Sequence, residues 1–256
     1  MTKPKISYQN NRRTPVRQNQ TKMDQLFHLH NQGVCFSASC QVPQALSCFT
    51  KALQWVEDAL RQMDQQGWRT ADETAEHLRV VPTPIQAPLA AMPVEIFNQV
   101  FQIFPSHDSV FDNEGMASTI AFFAAVIRYN MAVTLQVQLT GTKSSGGQKE
   151  QQVFRLYKTC LRAVEPFHSF AGPNVLSLSM ACLYNLAELL FARDHIQRAS
   201  EMVALADKLL WQSLDLGNYN GQPLPLLFSS ETLNEFAWKG YLIPYCASLQ
   251  RSAPAA

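Results

Sequence analysis

The sequence predicts an all-α protein made of antiparallel helical hairpins. Apolar residues recur at helical intervals through three long segments, 24–65, 114–165 and 174–212. A polar or proline-containing stretch interrupts each segment once and would join two helices. Prolines between the segments break any longer helix. These three observations together predict paired helices.

The chain is long enough to bury a sizeable apolar core. It has 256 residues, of which 46% are hydrophobic and 16% are charged. The 21 Lys and Arg residues nearly balance the 20 Asp and Glu residues, so no overall field favours nucleic acid or anionic lipid. Six cysteines in a chain of this length do not indicate a disulfide framework, and we expect reduced, mostly buried thiols and no cofactor.

Residues 1–22 are predicted to form a disordered basic arm. They contain six Lys and Arg residues and no acid, among Asn, Gln and Pro residues. The scattered spacing favours a solubilising role, with phosphate binding or a nuclear address as alternatives. The arm lacks the apolar core of a secretory signal, and no apolar run approaches the roughly 18 residues of a membrane span. We therefore expect a soluble protein of the cytoplasm or nucleus that does not contact membranes.

The first hairpin, 24–65, is predicted to turn near Gln41 to Pro43, where proline fits the first turn of a second helix. A proline-rich insertion, 67–113, follows and is predicted to be a loop or short irregular segments. Within it, 94–104 could be a short helix or a strand, because aromatic and β-branched residues are mixed there.

The second hairpin, 114–165, contains the stretch TGTKSSGGQK, which predicts a flexible loop over 140–150. The third hairpin, 174–212, is joined by a short polar turn at Arg193 and Asp194. Residues 218–256 are predicted to be irregular and to pack on the third hairpin.

The three hairpins share small and large residues at fixed offsets from an asparagine. From Asn31 and Asn185, the offsets 2, 5, 14, 18 and 21 match without a gap, and from Asn130 nine extra residues fall in the predicted loop. Small residues let two helices approach, and bulky residues fill the space between them. The predicted packing residues are Gly33, Phe36, Ala45, Phe49 and Ala52, then Ala132, Leu135, Val153, Tyr157 and Cys160, then Ala187, Leu190, Ala199, Val203 and Ala206.

This pattern resembles the tetratricopeptide repeat (TPR), which places Leu-Gly or Leu-Ala and an aromatic residue on its first helix and Ala, a bulky residue and Ala on its second. The likeness is clearest in YNMA at Tyr129–Ala132 and YNLA at Tyr184–Ala187. The usual tryptophan is absent, and the copies start 99 and 55 residues apart, where the family has about 34. The resemblance implies a short TPR-like solenoid with long inter-repeat insertions.

The resemblance also implies a function: a non-catalytic protein-interaction module that binds a peptide or a partner helix in a concave groove. Amide side chains beside aromatic rings suit this task, because an amide can pair with any peptide main chain. Alternatively, the asparagines join neighbouring hairpins and the tyrosines pack in the core of a self-associating bundle. Burial of Tyr129 and Tyr184 would favour that alternative. The implied partner-binding residues are His30, Asn31, Tyr129, Asn130, Gln136, Tyr184, Asn185 and Glu188.

Other functions are less well supported by the sequence. Histidines and cysteines cluster between His28 and Cys48, but no CxxC pair accompanies them, so we expect no metal. No catalytic motif is present, and we expect no enzyme activity. Residues 92–101 weakly resemble the opening of an F-box, which would make the chain an adaptor. Nucleic acid binding is expected only through the basic arm.

Overall fold

The structure of this chain is a computed structural model that describes residues 15–65, 78–86, 98–105, 113–140, 147–166, 172–219, 243–246 and 248. Its main elements are α1 (Pro15–Ala38), α2 (Val42–Gln65), β1 (Leu78–Pro84), β2 (Gln99–Pro105), α3 (Asn113–Thr140), α4 (Gly147–Val164), α5 (Pro173–Phe191) and α6 (Ile196–Tyr219).

The described residues are mostly helical, and adjacent helices pack against each other. The pairs α1–α2, α3–α4 and α5–α6 make extensive contacts, as the predicted hairpins require. Helix α2 also packs on α3, and α4 packs on α5. The first helices of neighbouring pairs touch more lightly, α1 with α3 and α3 with α5. The mostly helical fold is confirmed, with the addition of one small strand pair.

The first and third hairpins turn in the same way. Each has a non-glycine residue in the left-handed region nine positions after its asparagine: Cys40 at φ 56° and Asp194 at φ 59°. In each turn the N–H of the next residue donates to the carbonyl oxygen five residues earlier, at 2.8 and 2.9 Å. This is the Schellman helix ending, which satisfies carbonyls left free at a helix end. The equal offsets found in the sequence therefore correspond to equal main-chain geometry at the two turns.

The packing positions of the second helices are fully buried in all three hairpins. At the first hairpin the helices approach so closely that a Cβ atom built on Gly33 would lie 2.7 Å from Cε1 of Phe49. Most of the first-helix positions are buried too, although Phe36 is only partly buried. The fully buried second-helix residues are Ala45, Phe49, Ala52, Val153, Tyr157, Cys160, Ala199, Val203 and Ala206.

Helix α1 begins at Pro15, within the segment predicted to be a disordered arm. Proline fits the first helical position, and the Gln, Arg and Lys residues that follow are good helix formers, so polar composition here did not mean disorder. Residues 1–14 lie outside the described residues. The cysteine prediction is also wrong in part: all six cysteines are free, but only Cys160 and Cys182 are buried.

The insertion between the first two hairpins contributes a strand pair where loops were predicted. Strands β1 and β2 are antiparallel, with Val80 opposite Ile103. The ambiguous stretch 94–104 is a strand from Gln99 onward. Val100, Phe101 and Ile103 are fully buried, so β2 is covered on both faces.

This strand also bears on the F-box alternative. An F-box is a short helical module, but Val100 and Phe101 are extended and buried here, and residues 92–97 lie outside the described residues. The described end of the F-box-like stretch is therefore a strand, which argues against an F-box.

Other boundaries differ from prediction near the loops. Thr140 still belongs to α3 and 147–150 belong to α4, which leaves 141–146 of the predicted loop outside the described residues. Helix α6 extends to Tyr219, and Ile243, in a short helical turn, is buried. Apart from 218–219, 243–246 and 248, the predicted C-terminal segment lies outside the described residues.

Helices α3 and α5 are the most apolar elements. Ala117–Leu139 and Asn174–Phe191 have the length and composition of a membrane-crossing helix, with mean hydropathies of 1.5 and 1.4. Neither window is an uninterrupted apolar run, because polar residues divide each one. In both windows 83% of the residues are buried inside the fold, so a central position in the core accounts for their hydropathy and the evidence for a membrane span is weak.

Candidate functional site

The candidate site is the groove between α1 and α3, which holds β2. Both helices contact this strand. Three groove side chains bind its main chain at alternate residues, 99, 101 and 103. We call these side chains, Asn31, Tyr129 and Asn130, the main-chain clamp.

The two asparagines of the clamp bind in the same way. The side-chain nitrogen of Asn31 donates to the carbonyl oxygen of Ile103 at 2.8 Å, and its oxygen accepts from the Ile103 N–H at 3.1 Å. Asn130 does the same to Phe101, with both distances 2.8 Å. Tyr129 adds a fifth hydrogen bond, from its hydroxyl to the carbonyl oxygen of Gln99 at 3.1 Å. An amide can satisfy both main-chain groups of one residue because it carries a donor and an acceptor side by side.

The clamp is compatible with the pairing of the two strands. The N–H of Ile85 donates to the carbonyl oxygen of Asn98 at 2.9 Å. In this register the main-chain N–H and carbonyl groups of even-numbered β2 residues point toward β1, and those of odd-numbered residues point toward the helices. Pro82 lies opposite Phe101, at a pair that exchanges no main-chain hydrogen bonds, so the N–H that proline lacks is not needed for pairing with β2. The prolines that argued against a strand therefore lie at positions that a strand tolerates.

His30 joins the two asparagines. Its Nδ1 lies 3.1 Å from the side-chain oxygen of Asn31, and its Nε2 lies 3.0 Å from the side-chain nitrogen of Asn130. The second contact needs a nitrogen that accepts, so the consistent assignment is a neutral ring with its proton on Nδ1. The ring packs against Phe49 and Phe123, with centroid distances of 5.7 and 4.9 Å.

The ionisation of His30 is suppressed by this environment. Burial lowers its pKa from 6.5 to about 4, although the hydrogen bond to Asn31 acts in the opposite direction. A protonated ring would also present a donor to the donor nitrogen of Asn130. The clamp therefore depends on an uncharged histidine.

Two further residues, which the sequence analysis missed, support the clamp from behind. The hydroxyl of Thr134 donates to the carbonyl oxygen of Asn130 at 2.7 Å, and the Ser37 hydroxyl lies 2.7 Å from that of Thr134. Because Thr134 uses its proton on Asn130, Ser37 is the donor in the second bond. This chain links α1 to α3 and fixes the main chain that carries Asn130.

The predicted partner-binding residues are nearly all buried, which differs from the exposed groove that the resemblance implied. Only Asn31 is partly exposed. For His30, Tyr129 and Asn130 the reason is that β2 covers the α1–α3 groove, where the Phe101 ring centroid lies 5.0 Å from that of Tyr129. The buried residues of this set are His30, Tyr129, Asn130, Gln136, Tyr184, Asn185 and Glu188.

The predicted site residues of the third hairpin form a buried network that adjoins the clamp, since the ring centroids of Tyr157 and Tyr129 lie 6.0 Å apart. The side-chain nitrogen of Asn185 donates to the hydroxyl of Tyr157 at 3.0 Å, and that hydroxyl donates to Gln136 at 2.6 Å. The hydroxyl of Tyr184 donates to Asp207 at 3.0 Å. Burial raises the pKa of Tyr157 well above its ordinary value, so its hydroxyl stays protonated. These contacts join helices α3 to α6 rather than bind β2.

Besides Ser37 and Thr134, sequence reasoning missed the strand residues Phe101 and Ile103. The signal was present in VFQIF, where Phe101 and Ile103 alternate along the strand, although Val100 and Phe104 add apolar residues at the positions between. Nothing in that stretch, however, names the helices that would receive it. Among the described residues, no group of three His, Cys, Asp or Glu side chains is placed to hold a metal ion.

Comparisons with known proteins add no identification. No family model, no curated protein and no solved structure matches this chain.

Proposed function

We propose that this chain is a non-catalytic protein-interaction module, built as a short TPR-like solenoid, whose groove binds an extended segment by its main chain. The observation that supports the proposal is the set of five hydrogen bonds from the clamp to β2. All five end on main-chain atoms, so another extended segment could receive them regardless of its side chains. In the described structure the occupant is the chain's own strand.

A partner segment would have to replace β2. Its binding free energy must then offset the free energy lost when the buried side chains of β2 become exposed. Val100, Phe101 and Ile103 are fully buried, and exposing a side chain of this kind costs about 1.5 to 3 kcal/mol. The partner therefore needs bulky apolar residues at the same places. We expect an extended segment with two adjacent apolar residues and a third two positions after the second, as in VFQI.

The edge of β1 that faces away from β2 is a poorer place for a partner strand. Pro82 and Pro84 lack the N–H groups that would face outward there. The outward carbonyl of Leu78 already accepts from the side chain of Asn174 at 2.9 Å. Strand addition at this edge would form few hydrogen bonds, which favours replacement of β2 as the binding mode.

Burial of Tyr129 and Tyr184 favours a second candidate function, a self-associating helical bundle in which the asparagines are structural. In that case β2 is a permanent part of the core and never leaves the groove. The two candidates differ in whether β2 detaches while the helices remain folded.

Native-state hydrogen exchange at the N–H groups of Phe101 and Ile103 tests this difference. If β2 is a replaceable occupant, these groups exchange through a local opening, at a lower free energy than buried amides of α3 such as that of Ala132. If they exchange only with global unfolding, the groove is permanently filled and the module proposal fails.

A peptide of residues 98–105, NQVFQIFP, tests binding directly. Fluorescence anisotropy should show tighter binding to a Phe101→Ala variant, whose own strand packs less well, than to the unaltered chain. A peptide N-methylated at the positions of Phe101 and Ile103 is the matched control, because it cannot donate to the two asparagines. Equal binding of both peptides, or no binding to a variant that circular dichroism shows to be folded, would contradict the proposal.

A further inference from the structure

A second concave surface lies away from the clamp, between α4, the end of α5 and the start of α6. It encloses about 240 Å³. Phe154 and Leu189 provide apolar lining, and three arginines and one glutamate stand around them. We call this surface the arginine cleft, with Arg155, Arg193, Arg198 and Glu150 as its charged residues. None of the clamp residues lines it.

The arginine cleft carries an excess of positive charge. Three arginines against one glutamate leave an excess of two positive charges among these four residues. Arg193 is bound to Glu150, with its Nε donating at 3.0 Å and a second contact from its terminal nitrogen. Arg155 and Arg198 are exposed, and neither has a carboxylate partner among the described residues. The cleft therefore complements a negatively charged ligand.

The size and lining of the cleft limit the kind of anion. Pockets for drug-sized ligands usually enclose about 300 to 1,000 Å³, so this cleft has room for one or two side chains rather than a whole cofactor. Its apolar residues match an apolar side chain beside the charge. A guanidinium binds a carboxylate through two parallel hydrogen bonds, which two unpaired arginines can provide.

Nucleic acid fits this cleft less well. A phosphate backbone gains its affinity from many cations along a path, and Glu150 here interrupts a group of only three. The apolar lining would also meet no apolar group on a phosphate chain. A peptide with alternating acidic and apolar residues satisfies both features of the cleft.

We propose that the arginine cleft docks an acidic, apolar-containing peptide segment of a protein partner, with Arg155 and Arg198 binding its carboxylates and Phe154 and Leu189 receiving an apolar side chain. This site does not depend on the clamp or on release of β2.

The test uses a fluorescein-labelled peptide, Glu-Leu-Asp-Phe-Glu-Leu-Asp, and its amide analogue Gln-Leu-Asn-Phe-Gln-Leu-Asn. Fluorescence anisotropy with the full chain should show binding of the acidic peptide, weaker at high salt, and at least fivefold weaker binding of the analogue. The double variant Arg155→Gln, Arg198→Gln should lose at least fivefold in affinity for the acidic peptide. The control variant Lys51→Gln, Arg162→Gln changes the net charge equally outside the cleft and should keep the affinity.

Several outcomes would overturn the proposal. One is equal loss in both variants, which would indicate attraction by overall charge alone. Another is equal binding of the amide analogue, and a third is an unchanged affinity of the cleft variant after circular dichroism confirms its fold. Inorganic phosphate or a thymidine oligonucleotide that displaces the acidic peptide at similar concentrations would assign the cleft to phosphate. Binding of NQVFQIFP is measured in parallel, so a result that contradicts the cleft proposal can be distinguished from one that contradicts the clamp proposal.

Discussion

Asn130 and Asn185 occupy the same place in two hairpins but have different roles. Both follow a tyrosine and precede a small residue by two positions, and both are fully buried. Asn130 binds the N–H and the carbonyl oxygen of a strand residue, whereas Asn185 donates to the hydroxyl of Tyr157. The difference comes from what lies against each helix: β2 contacts α1 and α3. The same residue type at the same offset therefore has the role that its tertiary neighbours allow.

Substitution by alanine should affect the stability of the chain very differently at these two asparagines. Asn130→Ala leaves the N–H and carbonyl of Phe101 buried without their partner, and each such group costs about 1 to 3 kcal/mol. We expect a loss of about 4 kcal/mol in the free energy of unfolding, measured by urea denaturation. Asn185→Ala should cost about 1 to 2 kcal/mol, because Tyr157 still donates to Gln136. Equal losses of unfolding free energy in the two variants would contradict the larger role assigned to Asn130.

The second prediction is that the free energy of unfolding depends on pH through His30, which binds two residues of the clamp. The folded-state pKa of His30 is lowered, so the unfolded chain binds a proton near pH 6.5 and the folded chain only near pH 4. The stabilisation is fully present above pH 6.5 and is lost as the pH falls toward 4, by about 3 kcal/mol in total. Urea denaturation at several pH values should show this dependence.

Two variants separate His30 from other titrating groups in that experiment. His30→Gln should weaken the pH dependence between 6.5 and 4, because glutamine does not titrate there. His28→Gln, at an exposed position on the same helix, should leave it unchanged. Identical pH profiles for all three proteins would refute the role of His30.

The smallest effect tests the close helix approach in the first hairpin. Gly33→Ala places a methyl group against the buried ring of Phe49, and overpacking of this kind costs about 1 to 3 kcal/mol. The gain in helix propensity offsets about 1 kcal/mol, so we expect a net loss of about 1 kcal/mol and a lower Tm. Gly147→Ala, where a new Cβ meets nothing within 4 Å, should not lower the Tm. A stabilised Gly33→Ala variant would show that the helices can move apart without cost.

Much of the fold was predictable from local patterns. Periodicity located the three helix pairs because helix formation and burial of one face depend on residues a few positions apart. The residues at equal offsets from Asn31 and Asn185 lie on both sides of the turns, and the two turns have the same hydrogen bonding around Cys40 and Asp194. The TPR-like solenoid itself stays a prediction.

The strand pair and the filled groove were harder to predict. Pro82 and Pro84 are poor strand residues unless the main-chain positions they occupy face away from the partner strand. That condition depends on the register with β2, and local sequence does not determine the register. The first helices also predicted a groove suited to main-chain binding, but not that residues 99–103 would occupy it.

Local sequence is enough to infer the helical pairs, the small-to-large contacts within them and the presence of amides suited to a peptide main chain. Long-range packing sets which main chain those amides bind, that His30 joins two of them, and that Arg155 and Arg198 line the same cleft. The cause is distance along the chain. Helix pairing is encoded within about four residues on each face, whereas the clamp joins Asn31 to Ile103 across 72 positions and Asn130 to His30 across 100.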